Sequence, residues 1–170
     1  GAALGYEPAL GEVRALEPGP NAATWRISGE EQQPQAYRRC ANFDSPAGCN
    51  WLVPVEEPLL HCRACRLNRT IPDLSDADNQ RYWRAIENAK RRLVSQLIAL
   101  GLPVESKVHE NPERGVVFDF LRSLPAGPRV LTGHANGLIT LNAEEADDAK
   151  REKIRHDLHD PYRTLLGHFR

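Results

Sequence analysis

The chain has 170 residues, 41% apolar and 26% charged, with a formal net charge of −1. That size allows one compact domain or two small ones, and the near-neutral charge excludes a general field that would draw the chain to nucleic acid or anionic lipid. No apolar run approaches the roughly 20 residues of a membrane-spanning helix, and no secretory signal pattern is visible at the start.

Residues 1–37 are rich in glycine, proline and short apolar stretches. Short strands are expected at 13–16 and 24–28, kept short or at an edge by Pro18, Pro20 and Pro34. All four cysteines follow in one window, Cys40, Cys49, Cys62 and Cys65, with the spacing C-x8-C-x12-C-x2-C. Thiols stay reduced inside cells, so this cluster points to metal ligands and to a cytoplasmic protein. Zinc takes four ligands in a tetrahedron, and four thiolates close its coordination sphere. The expectation is one structural zinc per chain, which organises a fold and performs no chemistry. Two disulfides, or His61 replacing one sulfur, are the alternatives, and residue types do not separate zinc from iron. Asp44-Ser45-Pro46-Ala47-Gly48 is a turn by composition, Trp51-Leu52-Val53 a strand ending at Pro54, and Cys62-Arg63-Ala64-Cys65 a tight knuckle.

After Leu74 the pattern changes. Ser75, with Asp78 three residues on, is the expected cap of a helix. Tyr82, Trp83, Ile86, Ala89, Leu93, Leu97 and Leu100 recur at helical spacing, and Gly101 and Pro103 stop the run. Arg81, Arg84, Lys90, Arg91 and Arg92 are read as its solvated face. Val116, Phe118 and Phe120 alternate as in a strand. Asn136-Gly137 between 129–135 and Leu138–Asn142 is a strong hairpin signal. A mixed sheet of about three strands with the long helix packed on it follows. Residues 143–158 read as an exposed helix, with acids early and bases late as the helix dipole favours. A last helix opens at Asp160 and Pro161 with Tyr162, Leu165, Leu166 and Phe169 as its apolar stripe.

Three segments and the closing run carry a resemblance. They are Cys49-Asn50-Trp51-Leu52-Val53-Pro54, the stretch from Cys62-Arg63-Ala64-Cys65 through Arg66-Leu67-Asn68-Arg69-Thr70-Ile71-Pro72-Asp73-Leu74, Thr132-Gly133-His134-Ala135-Asn136-Gly137-Leu138-Ile139-Thr140-Leu141-Asn142, and Pro161-Tyr162-Arg163-Thr164-Leu165-Leu166-Gly167-His168-Phe169-Arg170. Together they resemble the bacterial zinc-binding metallopeptidases that carry an N-terminal zinc ribbon. The resemblance implies an α+β chain: a zinc-ribbon-like module over 1–74, then the N-terminal part of a zincin-like domain over 75–170, with a long helix, a small mixed sheet and two C-terminal helices. It also implies two further Cys-x-x-Cys pairs before Gly1. The last helix is expected to run into an HExxH motif just after Arg170. HExxH sets two histidines one turn apart for one zinc ion, with the glutamate as general base. A catalytic zinc is thus expected only in a longer protein acting on peptide or protein substrates. The absence of methionine and the abrupt ends fit that expectation of a chain cut at both ends, inactive alone. By fold analogy, Leu138, Ile139, Thr140, Leu141 and Asn142 form the edge strand that pairs with substrate.

Outside the cysteines, site signals are weak. His156 and His159 straddle an expected helix end with no glutamate in a general-base position. His134 sits in the hairpin, His109 in a loop, and Gly133-His134-Ala135-Asn136-Gly137 lacks the ending of a phosphate loop. Asp119 is either a buried ion-pair partner or an outer-face residue. The competing function is a zinc-ribbon module that binds proteins as a scaffold without catalysis.

Overall fold

The computed structural model describes residues 1–30, 35–124, 126–160 and 164. Two sheets flank one long helix. The first sheet holds β1 (Ala3–Glu7), β2 (Glu12–Pro18), β3 (Trp25–Ile27), β4 (Tyr37–Arg39) and β5 (Leu52–Pro54), antiparallel and in chain order. Its strands at 13–16, 24–28 and 51–53 follow the apolar alternation. β4 has only three residues, two of them arginine, and shows no such pattern. Leu16 and Ile27 are register partners and pack with Tyr37 and Leu52 in a small cluster of their own.

The second sheet holds β6 (Asn68–Thr70), β7 (Val117–Leu121), β8 (Gly133–Ala135) and β9 (Leu138–Asn142) in the order β6-β7-β9-β8. The β6–β7 and β7–β9 pairs are parallel, and β8–β9 is antiparallel. A parallel pair needs a crossover, and α1 (Ala77–Ala99) supplies it between β6 and β7. β6 adds a fourth strand to the three expected; Asn68-Arg69-Thr70 is too polar and short to announce itself. β7 is buried along Val117, Phe118, Asp119 and Phe120, as suits a strand between parallel neighbours. The Asn136-Gly137 turn has positive φ at both residues, 49° and 78°, the geometry a two-residue hairpin requires.

α1 departs from expectation in two respects. Its cap is Asp76, not Ser75: the Asp76 side chain accepts from the backbone N–H groups of Asp78 and Asn79. Its basic residues also divide. Arg81, Arg84 and Arg92 are exposed, whereas Lys90 and Arg91 are buried. Tyr82, Trp83, Ile86 and Ala89 are buried as expected, while Leu100 lies at the exposed end. Gly101 closes the helix at φ 69°, donating to the Ile98 carbonyl at 2.9 Å.

The expected helix at 143–158 is broken in two. Ala143–Ala146 forms a 3-10 turn with Ala143 and Glu145 buried. Asp147 leaves the helical region, and its side chain accepts from Lys150 N–H to cap α2 (Asp148–Leu158), which buries no residue. The helix expected from Pro161 onward lies outside the described residues.

The main core does not stop at the end of the cysteine region. Cys49, Trp51, Val53, Ala64 and Leu67 join Trp83, Ile86, Phe118, Phe120 and Leu141 in one buried cluster.

Candidate metal centre

Local turns aim the four sulfurs at one point. Cys40 directly follows β4, and the loop to Cys49 is closed by Cys49 N–H donating to the Asn42 carbonyl at 3.0 Å. Gly48, at φ 54°, lets the chain reverse there. On the other side, Arg66 N–H donates to the Cys62 carbonyl at 3.0 Å, which curls Cys62 to Cys65 into the knuckle. A 3-10 turn, Cys65–Leu67, then leads into β6.

The four Sγ atoms all lie within 4.8 Å of one another, and all four residues are buried. All four are free thiols. The Cys49 and Cys62 sulfurs are 3.6 Å apart, against about 2.0 Å in a disulfide. A tetrahedron with Zn–S bonds of about 2.3 Å places sulfurs about 3.8 Å apart, so the donor set fits zinc in type, number and spacing. Burial pushes the Cys62 thiol well above its ordinary value, so ligation needs a cation to draw off the proton. The Cys62 backbone N–H also faces Cys40 Sγ at 3.4 Å. His61 is exposed and outside the group, so neither disulfides nor a histidine substitution describes this cluster.

The surroundings of the sulfurs come from α1. Cys65 Sγ lies 3.6 Å from Glu87 Oε2. Glu87 Oε1 accepts from Lys90 Nζ at 2.7 Å and from Asn68 Nδ2 at 2.9 Å. Lys90 also donates to Asn68 Oδ1 and lies 5.6 Å and 5.4 Å from the ring centres of Phe118 and Phe120. Burial raises the Glu87 carboxyl above its usual range; Lys90 opposes that rise and Cys65 adds to it. From the same helix, Arg84 Nε donates to the Pro46 carbonyl at 2.8 Å and Arg91 Nη2 to the Ala47 carbonyl at 3.1 Å, pinning the loop between Cys40 and Cys49. Sequence reading missed Glu87, Lys90 and Asn68 as parts of this centre. A signal existed: Lys90 stands seven residues from Trp83 and four from Ile86, on the stripe side of the helix.

The remaining candidates do not converge. Among the described residues, the four cysteines are the only His, Cys, Asp or Glu group of three or more with ligand atoms gathered closely enough for a metal. His156 and His159 close α2 in exposed positions, and His168 lies outside the described residues. Asp119 is the ion-pair partner of Arg69. Leu138, Ile139, Thr140, Leu141 and Asn142 are not an edge strand. β7 pairs with one side of β9 along its whole length, and β8 folds back over the other side at Leu138, Ile139 and Thr140. Beyond β8, Thr132 Oγ1 accepts from Asn142 N–H at 3.1 Å. The tight Asn136-Gly137 turn makes β8 the outer strand instead, with Gly133, His134 and Ala135 all exposed.

Comparison with known families agrees with this geometry. Residues 1–76 match a zinc-ribbon domain, and residues 79–170 match the family described as "Putative zinc-binding metallo-peptidase". The chain belongs to this metallopeptidase family. Family relatives described as uncharacterized proteins occur in Mycobacterium bovis and Mycobacterium tuberculosis. Each is 45% identical over 132 residues, covering 77% of this chain and 37% of the relative. The chain therefore spans little more than a third of the curated relatives it matches. No solved structure matches it. The family and the ribbon together assign the four-cysteine cluster to structural zinc. No described helix is long and apolar enough to cross a membrane.

Proposed function

We propose that this chain is the zinc-organised part of a cytoplasmic zinc-dependent peptidase, a hydrolase whose catalytic HExxH motif follows Arg170. The single observation that carries the reading is a mismatch: the chain belongs to a metallopeptidase family, yet its 170 residues contain no HExxH. Four thiolates leave a zinc ion no open position for substrate or water, so the cysteine centre is architectural. The catalytic ligands have to come from residues outside this chain, which fits its 37% share of the relatives' length.

In this reading α1 and the second sheet are the platform against which a catalytic helix is held. A peptide substrate in extended form adds along the side of β8 that no described strand covers, where Gly133, His134 and Ala135 are exposed. Leu138–Asn142 then stands one strand behind the substrate and fixes the position of β8.

The test compares the 170-residue chain with the full-length protein on a library of unstructured peptides, with and without a metal chelator. Cleavage confined to the full-length protein and abolished by chelator is expected. Chelator-sensitive cleavage by the 170-residue chain alone sinks the reading, as does a full-length protein with no HExxH.

A further inference from the structure

Several arginines of the cysteine region are spent on internal partners. Arg38 donates to the carbonyls of Val55 at 3.4 Å and Leu59 at 3.2 Å, and Arg66 pairs with Glu57 and Glu110. Arg39, at the end of β4, is held differently. Its guanidinium carbon lies 4.5 Å from the ring centre of Trp25 and 3.9 Å from that of Phe43. Among the described residues, nothing accepts a hydrogen bond from its side chain and no acid pairs with it. Its Nε–H is buried without a partner, whereas its Nη groups, neither bonded nor enclosed, meet solvent.

Both rings are themselves fixed. Trp25 in β3 is the register partner of Tyr37 in β4, so Trp25, Tyr37 and Arg39 share one side of the sheet. Trp25 packs there against the cluster of Leu16, Ile27 and Leu52. Phe43 sits in the turn that follows the first metal ligand, its N–H donating to the Cys40 carbonyl at 2.8 Å. An arginine stacked in this way has little rotamer freedom left to lose when a ligand takes its fork. That fork matches a planar carboxylate through two parallel N–H···O bonds. Trp25 and Phe43 are only half-buried, so ring surface remains beside the fork for the aliphatic part of an acidic side chain. Arginine and large aromatics are the residues that anchor protein interfaces.

The surrounding charge narrows the choice of anion. Burial, and then the negative charges of Glu7, Glu30 and Glu56, push the neighbouring Tyr37 hydroxyl up to about 12. Acids therefore stand around this end of β4, and they oppose a dianionic phosphate or a nucleic-acid backbone more than a single carboxylate. We propose that Arg39, clamped by Trp25 and Phe43, docks a glutamate or aspartate side chain of an acidic segment of a partner protein, with its Nη groups holding the carboxylate. This role is independent of the peptidase reading.

The test follows the Arg39 Nε–H resonance of the zinc-loaded, ¹⁵N-labelled chain, assigned by its loss in Arg39→Lys. A capped glutamate-rich peptide, its glutamine twin, inorganic phosphate and a single-stranded oligonucleotide are titrated separately at matched ionic strength. A saturable shift with the glutamate peptide and none with its twin is expected. By calorimetry, Arg39→Lys, which keeps the charge and loses the fork, weakens that binding about tenfold. Phe43→Leu, which keeps an apolar cover and loses the ring, weakens it several-fold and serves if Arg39→Lys fails to fold. A resonance that the glutamate peptide leaves in place, or that the glutamine twin moves equally, overturns the proposal. So does stronger binding of phosphate or the oligonucleotide, or an Arg39→Lys chain that binds the glutamate peptide unchanged.

Discussion

Cys65 Sγ lies 3.6 Å from the Glu87 Oε2, and the Glu87 side chain has no exposure to solvent. A metal-binding thiolate and a carboxylate repel each other at that distance in a poorly screened interior. Lys90 and Asn68 resolve the conflict by donating to the other carboxylate oxygen. The cysteine region supplies the sulfur, and α1 supplies the groups that make its charge tolerable. The two regions are thus joined by electrostatics as well as by packing.

Lys90→Met should destabilise the zinc-loaded chain by up to about 3–5 kcal/mol, because it takes the nearest cation from the buried Glu87 and leaves it only Arg91, at 3.9 Å, and the Asn68 amide. Adding Glu87→Gln should recover much of that loss, since the double variant removes both charges of the pair. Urea unfolding of the three proteins checks this. A Lys90→Met effect below about 1 kcal/mol would show that the pair does not carry the role given to it.

Metal analysis should find about one zinc per chain, as one four-thiolate centre requires, and Cys62→Ser should abolish it. Zinc binding contributes roughly 10–16 kcal/mol in isolated finger peptides, so removal should be felt well beyond the knuckle. Hydrogen exchange after chelation should accelerate in α1 and β7 as well as in β5. Unchanged protection in α1 would mean that the helix does not depend on the centre.

Asp119 has its carboxyl held below the usual range, first by the hydrogen bonds from Arg69. A depressed carboxyl stabilises the folded state above its unfolded value of about 3.9 and loses that contribution as the pH falls through the lower folded value. Arg69 is half exposed, so solvent screens the pair and its contribution is small. Asp119→Asn should therefore flatten the acid limb of the stability curve below about pH 4. The difference from wild type isolates this group from protonation of the zinc ligands. Parallel acid limbs in the two proteins would remove the assignment.

Gly137→Ala should cost at least about 2 kcal/mol. Its φ of 78° already penalises a side chain by about 1–2 kcal/mol, and an added Cβ would stand 2.4 Å from the Gly115 carbonyl oxygen. Asn136→Gly, at the neighbouring turn position, should stay within about 0.5 kcal/mol. Thermal unfolding distinguishes them, and equal small effects would show that the turn is not under that constraint.

Much of this architecture was legible in the residues. The cysteine spacing, the stripe from Tyr82 to Leu97 and the Asn136-Gly137 turn each express a local rule, and local rules survive folding. The parts that were not legible depend on partners distant in sequence. β6 is a strand because Asn68 meets Phe118, 50 residues away. Lys90 and Arg91 look like surface cations until the cysteine loop packs on them. Ser75 satisfies the helix-start pattern as well as Asp76 does, and only the turn geometry chooses between them. β9 was assigned the edge by fold analogy alone, because a sequence shows which segments are strands but not which strand lies outermost.

The shared filling of side chains between the cysteine region and the second sheet also bears on how this protein can be divided. The boundary between the two family matches, 77–78, falls at the first turn of α1, yet a cut there would bare Trp83, Ile86 and Lys90 on one piece and Trp51 and Leu67 on the other. A protease nick at that joint should leave two fragments that co-migrate until denatured, and the ribbon should not serve as a transplantable tag. Evolution could lengthen the loops on either side of this seam, but it could not exchange one half without rebuilding the other.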